Sequence, residues 1–194
     1  MNEARYGNGL IVRYKKKFLF AVGKEKFWRN KEGLLVITYT AVGGNLEREE
    51  TFVESALREA REELGVEVTI KSAINTLFFD FETKEKKFVK LNETINPAII
   101  YNKILPGNDK LAVCTFIAYL KNVPKPSMEV PALLLLKEEQ LFEDKSLRTL
   151  LEEGAEILEQ RPIPRNAIMR PFGTAMILRD LDQKQREFVV KVEE

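Results

Sequence analysis

Glu59, Glu62 and Glu63 are separated by steps of three and four positions. On a helix such steps bring side chains to within about 5–6 Å on one face. At about 100° per residue, Glu62 falls about 60° to one side of Glu59 and Glu63 about 40° to the other. Carboxylates crowded in this way repel one another; no lysine lies between them, and Arg58 and Arg61 each reach only part of the set. A hard divalent cation relieves the repulsion, and Mg²⁺ in particular binds through a few carboxylates while sharing the phosphate oxygens of a substrate. A Glu-rich helix taken alone is more often just a solvated face. The surrounding sequence decides between the two.

The helix that must carry these residues is signalled at both ends. Thr51-Phe52-Val53-Glu54 is a capping-box sequence, in which the Thr hydroxyl accepts from an orphan N–H and Glu54 reaches back. Val53, Ala56, Leu57, Ala60 and Leu64 then recur at helical spacing as one apolar stripe. Gly65 stands where a left-handed cap favours glycine. The whole segment fits the pattern G-x5-E-x7-R-E-U-x-E-E-x-G-U (U aliphatic) at Gly44, Glu50, Arg58, Glu59, Ala60, Glu62, Glu63, Gly65 and Val66. A joint match at seven fixed positions is far more specific than an acidic helix. The segment resembles a Nudix box, and the chain resembles the Nudix hydrolase family.

That resemblance implies an α/β fold, an α/β/α sandwich around a mixed β-sheet. It implies a single domain over residues 1–194, with a core of about 8–160 and a C-terminal extension over 161–194. Glu59, Glu62 and Glu63 would hold Mg²⁺ or Mn²⁺ with a backbone carbonyl near Gly43-Gly44, here assigned to Gly44. Glu50 and Arg58 would be supports, Arg58 orienting a neighbouring carboxylate for the chemistry, and Gly65 would be structural. The implied reaction is hydrolysis of a nucleoside diphosphate linked to another moiety, for which a small-molecule diphosphate is the partner. Its base comes from the box, from Glu59 or Glu62, or from a later loop, where Glu129 in Pro124–Val130 is the candidate and Glu82, Glu85 and Glu93 compete. Two departures stand out: Val42 replaces a proline common before the two glycines, and Glu49 stands where many members have glycine. Signposts to a particular substrate are missing. Glu67–Asn96 lacks the proline of some ADP-ribose-acting members, and the first tyrosine beyond the box is Tyr101.

Composition narrows the chemistry further. Lys and Arg number 31 against 30 Asp and Glu, and there is no histidine. Serine–histidine and cysteine–histidine nucleophiles are thereby excluded, as is any imidazole metal site. The histidine-dependent isopentenyl diphosphate isomerase and GDP-mannose branches of the family are disfavoured. The near-balance of charge hides a division: residues 47–67 carry eight acidic and three basic side chains, which leaves the rest of the chain at +6. The single Cys114 excludes an internal disulfide and reads as a buried thiol. Neither a signal-peptide pattern nor an apolar run of membrane-spanning length is present, which points to a cytoplasmic protein with no membrane partner.

The remaining elements are short. Leu10–Tyr14 and Phe18–Val22 read as a hairpin about Lys15-Lys16-Lys17, Leu34–Val42, Phe88–Leu91, Leu111–Leu120 and Ala132–Leu136 as strands, and Val66–Phe81 as β-rich. Lys137–Gln160 has helical periodicity, with a Leu stripe suited to a core or a homodimer face. Between Arg13 and Lys31 eight cations face only Glu25, with Phe27-Trp28 among them. This stretch reads either as a solvated hairpin or as a surface for phosphate and base. Arg161, Arg165 and Arg170 in the tail either reach a substrate phosphate or pack on the domain. Two rivals to the hydrolase use the same residues: a non-catalytic nucleotide sensor, disfavoured by the intact glutamates, and RNA-end processing, for which a net charge of +1 offers little electrostatic footprint.

Overall fold

The computed structural model describes residues 4–105 and 107–193. In chain order its strands and helices are β1 (Ala4–Tyr14), β2 (Lys17–Val22), β3 (Arg29–Lys31), β4 (Leu34–Thr40), α1 (Phe52–Leu64), β5 (Val68–Lys71), β6 (Thr76–Asp80), β7 (Lys86–Val89) and β8 (Ile99–Ile104). There follow β9 (Lys110–Leu120), β10 (Ala132–Leu136), β11 (Lys145–Ser146), α2 (Leu147–Glu152), β12 (Glu156–Glu159), β13 (Ile168–Pro171), α3 (Thr174–Asp180) and α4 (Gln183–Val189). Two 3₁₀ turns, Glu25–Phe27 and Glu138–Leu141, lie between them.

The strands form one mixed sheet in the order β11-β13-β4-β2-β1-β9-β8-β6-β7, with β10 joining β2 to β12, β3 beside β4 and β5 beside β9. Its spine is the long parallel pairing of β1 with β9, running from Ala4 opposite Lys110 to Val12 opposite Ala118. The β1–β2 hairpin turns through Lys15 and Lys16 at φ 51° and 62°, a pair of left-handed residues whose twist matches that of the flanking strands. Alternation along β1 sends Leu10 and Val12 to one face and Ile11 to the other. The five-residue β10 is apolar throughout because both of its faces are covered: Leu133 and Leu135 meet the α1 side, Leu134 and Leu136 the opposite side. On the first side α1 buries Ala56, Ala60 and Leu64, whose small alanines let the helix sit close to the sheet. On the other, α3 and α4 contribute Ala175, Ile177, Leu178 and Val189. The architecture is α/β, a mixed sheet between helices.

The acidic helix forms as its sequence predicts. Thr51 Oγ1 accepts the Glu54 N–H at 3.2 Å, Glu54 accepts the Thr51 N–H at 2.9 Å, and Gly65 closes the helix at φ 64°. The helix expected over Lys137–Gln160 is instead a 3₁₀ turn, the short β11, the six-residue α2 and β12. Gly154 at φ 96° breaks the chain, and Ile157 and Leu158 pair with β10 rather than continuing a helix. Leu141, Leu147 and Leu150 are buried in the core, so this part of the Leu stripe is core rather than dimer face. The sequence reading also passed over β8 as a separate strand. The tail is woven into the sheet: β13 pairs in parallel with β4 from Ile168 opposite Val36 to Pro171 opposite Tyr39.

Candidate active site

Strand β4 runs into the turn Val42-Gly43-Gly44, which β1 holds through Leu10 N–H to Val42 O at 2.7 Å and Asn8 N–H to Gly44 O at 2.8 Å. Gly43 is required sterically by backbone, whereas at Gly44 a side chain would meet only the Glu59 carboxylate. A Cβ on Gly43, at φ 148°, would lie 2.3 Å from Asn8 O; one on Gly44 would lie 2.3 Å from Glu59 Oε1. The second clash shows how closely α1 brings a carboxylate to this turn. Glu63, one helical turn on, accepts the Gly43 N–H at 3.0 Å through Oε2.

Gly44, expected to offer a backbone ligand, has its oxygen turned to β1. Its oxygen accepts both the Asn8 N–H at 2.8 Å and Asn8 Nδ2 at 3.3 Å, which engages both lone pairs with β1. Gly43, whose amide already touches Glu63, is the better source of a backbone ligand at this turn. Asn8 also donates to Ser55 Oγ at 2.7 Å, tying the turn to the first half of α1.

Arg58 organises the carboxylates. Its guanidinium forks onto Glu50 at 2.8 and 3.1 Å, and its Nη1 reaches Glu59 at 2.8 Å and Glu62 at 2.9 Å. Nη2 also donates to Ser55 Oγ at 3.1 Å and Asn45 O at 3.2 Å. This planar five-donor fork is a task lysine cannot perform. The Arg58 hydrogen bonds hold Glu50 down to about 2, well below the ordinary carboxylate range. Burial dominates for the other two: it pushes Glu63 up to about 8 despite the Gly43 N–H, and raises Glu59 against the pull of Arg58.

With Glu62 paired to Arg58 and its side chain 45% exposed, no three acidic, histidine or cysteine side chains among the described residues are gathered as a metal cage. Two carboxylates do converge on the Gly43-Gly44 turn, and burial raises both there, Glu59 in spite of its pairing with Arg58. Hard oxygen donors in a buried position suit a divalent cation, which inverts such a pKa shift on binding. The donor set fits the expected metal through Glu59 and Glu63, with Glu62 on the adjoining, more exposed side of the helix face.

Glu129 arrives from the loop after β9, which docks on the end of α1. Lys125 N–H bonds Leu64 O at 2.8 Å, and Ser127 Oγ bonds Glu62 O. Glu129 is paired with Lys24 Nζ at 2.8 Å, which holds its carboxyl below the usual range. Lys24 is raised chiefly by that bond, and the charges of Glu63 and Glu59 also act on it. Glu129 and Lys24 therefore share the electrostatic neighbourhood of the box. Of the competing carboxylates, Glu82 accepts Ile104 N–H and Glu85 lies with Asp80 beside β6 and β7.

The basic segments divide. Lys15 and Lys17 pair with Glu156, whereas Lys24 and Arg29 line a cavity of about 450 Å³ that reaches Glu63. The tail arginines are engaged in packing the domain: Arg161 with Glu25, Arg165 with Glu159, Arg170 with Asp144. Phe27 and Phe172 also line that cavity, and the sequence reading missed Phe172, which has no motif around it. Cys114 is half-buried, its thiol pushed up to about 11 by burial. No helix among the described residues is long and apolar enough to cross a membrane.

Residues 7–99 match the NUDIX domain. Among curated proteins none matches the sequence. Among solved structures, the MutT protein from Methanosarcina mazei Go1 is similar at 16% identity and TM-score 0.51, over 78% of this chain and 90% of that one. The E. coli ORF135 protein aligns at 16% identity and TM-score 0.47, over 71% and 76% of the two chains. A NUDIX hydrolase from Nitrosomonas europaea aligns at 14% identity and TM-score 0.41 over 62% of each, so the chain spans less than two thirds of its length. At these identities the likeness to the first structure is one of fold.

Proposed function

We propose, from the match of residues 7–99 to the NUDIX domain, that the chain hydrolyses a phosphoanhydride bond in a nucleoside diphosphate derivative with the help of Mg²⁺ or Mn²⁺. The observation that carries this reading is the convergence of Glu59 and Glu63 on the Gly43-Gly44 turn, beside a cavity lined by Lys24 and Arg29. A divalent cation supplies Lewis acidity there, neutralising the diphosphate and lowering the pKa of the attacking water.

In this scheme Glu59, Glu63 and Glu62 would hold the cation with the Gly43 carbonyl, and Arg58, anchored by Glu50, would fix the Glu59 rotamer. Lys24 and Arg29 attract and orient the diphosphate. Water attacks phosphorus, the bridging P–O bond breaks, and the proton passes to a carboxylate. Glu129 is the candidate for that transfer, supported by its pairing with Lys24 at the cavity wall. While Lys24 pairs with it, its basicity is depressed; a substrate phosphate that takes Lys24 releases it to accept a proton. Because Lys15 and Lys17 are paired with Glu156, the basic N-terminal hairpin offers little to a nucleic-acid backbone.

The test is a panel of nucleoside diphosphate derivatives assayed for phosphate-containing products with and without Mg²⁺, for the wild type and Glu63→Gln. Wild-type turnover should depend on the metal. The variant should keep its denaturation midpoint within a narrow range and lose turnover by at least about 100-fold. Wild-type-like turnover by Glu63→Gln would refute the site assignment.

A further inference from the structure

The geometry points to a nucleobase slot between Phe27 and Phe172, completed by the C-terminal segment that lies outside residues 7–99. This inference rests on the diphosphate reading above and names the part of the substrate that selects it. Phe27 and Phe172 line the cavity of about 450 Å³ that also contains Val22, Lys24, Arg29 and Glu63. The volume is that of a small-molecule site. The aromatic residues, the cations and the box carboxylate thus share one enclosure, in which a nucleoside diphosphate can place its base and its phosphates at once.

Both rings are held out of the core by the backbone around them. Phe172 N–H bonds Tyr39 O at 2.8 Å, which extends the β13–β4 pairing by one residue and fixes Phe172 at the sheet end. Gly173, at φ 54°, then turns the chain so that Thr174 is buried, its Oγ1 2.9 Å from Thr115 Oγ1. A Cβ at Gly173 would lie 2.9 Å from the Tyr101 hydroxyl, so the turn admits only glycine at this approach. Phe172 is left 44% exposed. Phe27 ends a 3₁₀ turn and is 52% exposed, whereas its neighbour Trp28 packs on the core and donates Nε1–H to Gly23 O at 2.7 Å.

Neither ring pairs with another aromatic among the described residues. Each has an ammonium over it instead, Lys26 Nζ at 5.0 Å from the Phe27 centroid and Lys103 Nζ at 4.1 Å from that of Phe172. Ring surface left exposed at a cavity wall costs hydrophobic free energy unless a ligand covers it. A planar base covers it best, because stacking is tolerant of base identity and aromatic platforms favour it. Lys24 and Arg29 then meet the phosphates on the way to Glu63.

Trp28, the single tryptophan, follows Phe27 in the chain and bonds Gly23 of the cavity wall, and it serves as a reporter of occupancy without turnover. The experiment titrates full-length wild type, Phe27→Ala, Phe172→Leu and Phe172→Tyr with ADP, and with pyrophosphate as the probe lacking a base, by Trp28 fluorescence and calorimetry. Removing either ring should weaken ADP by about 5- to 100-fold, leave pyrophosphate within about twofold, and Phe172→Tyr should restore ADP binding. Equal effects on both probes, or on neither, would overturn the slot. If the wild type hydrolyses nucleoside diphosphate derivatives while both ring variants keep its KM, the slot fails and the hydrolase stands. If the wild type neither binds nor hydrolyses any of them, both readings fall together.

Discussion

Replacing Gly44 by alanine separates the position of one carboxylate from the stability of the fold. The new Cβ would stand 2.3 Å from Glu59 Oε1, 2.6 Å from Cδ and 2.9 Å from Oε2, where 3.4–4 Å is ordinary contact. The Glu59 carboxylate must therefore retreat by about 1 Å, against the Arg58 bond of 2.8 Å that holds it. It is the end of a flexible side chain, and Gly44 is not among the residues at positive φ. The overpacking cost should accordingly stay within about 1–3 kcal/mol. A catalytic group displaced by about 1 Å costs about 100-fold in rate. Gly43→Ala supplies the contrast: its Cβ meets Asn8 O at 2.3 Å and Gly9 Cα at 2.8 Å at φ 148°, so backbone must move and stability should fall by more than about 3 kcal/mol. Urea denaturation and Mg²⁺-dependent turnover, measured on both variants, make the comparison. A Gly44→Ala protein with wild-type kcat/KM and wild-type Mg²⁺ dependence would show that the placement of Glu59 against this turn is not what catalysis uses.

Two further outcomes follow from the packing and the charges. Leu134→Ala, in a strand covered on both faces and 0% exposed, should lower stability by about 2–5 kcal/mol in urea; a loss below 1 kcal/mol would mean that β10 is not buried as described. Glu50 titrates at about 2 in the folded chain against an ordinary 4.5, so its pairing with Arg58 stabilises the fold above the ordinary value, and that contribution is lost as pH falls toward 2. Glu50→Gln should be less stable than the wild type at neutral pH and converge with it in acid; a constant gap across that window would refute the pairing.

The box was legible because its determinants are short-range. A capping box, an apolar stripe and a terminal glycine lie within sixteen residues, and they fix both the helix and the face on which Glu59, Glu62 and Glu63 stand. The Arg58 contacts with Glu59 and Glu62 are short-range too, since both lie within one helical turn of it, whereas its role as a support is what the resemblance implied. The Leu-rich stretch after Leu136 misled because periodicity cannot distinguish a buried strand from a buried helix; β12 was settled by its pairing with β10.

The sequence by itself thus determined the chemistry on offer: oxygen donors, no imidazole, and a helix that crowds three carboxylates. Tertiary structure decided which groups face one another. β1 took the Gly44 carbonyl through Asn8, Lys24 reached Glu129 across 105 positions, and β13 brought Phe172 to the wall of a cavity that ends at Glu63. None of these leaves a local signal, because each is a pairing between segments far apart in the chain. Its free energy comes from burying the sheet between helices rather than from the residues that happen to meet.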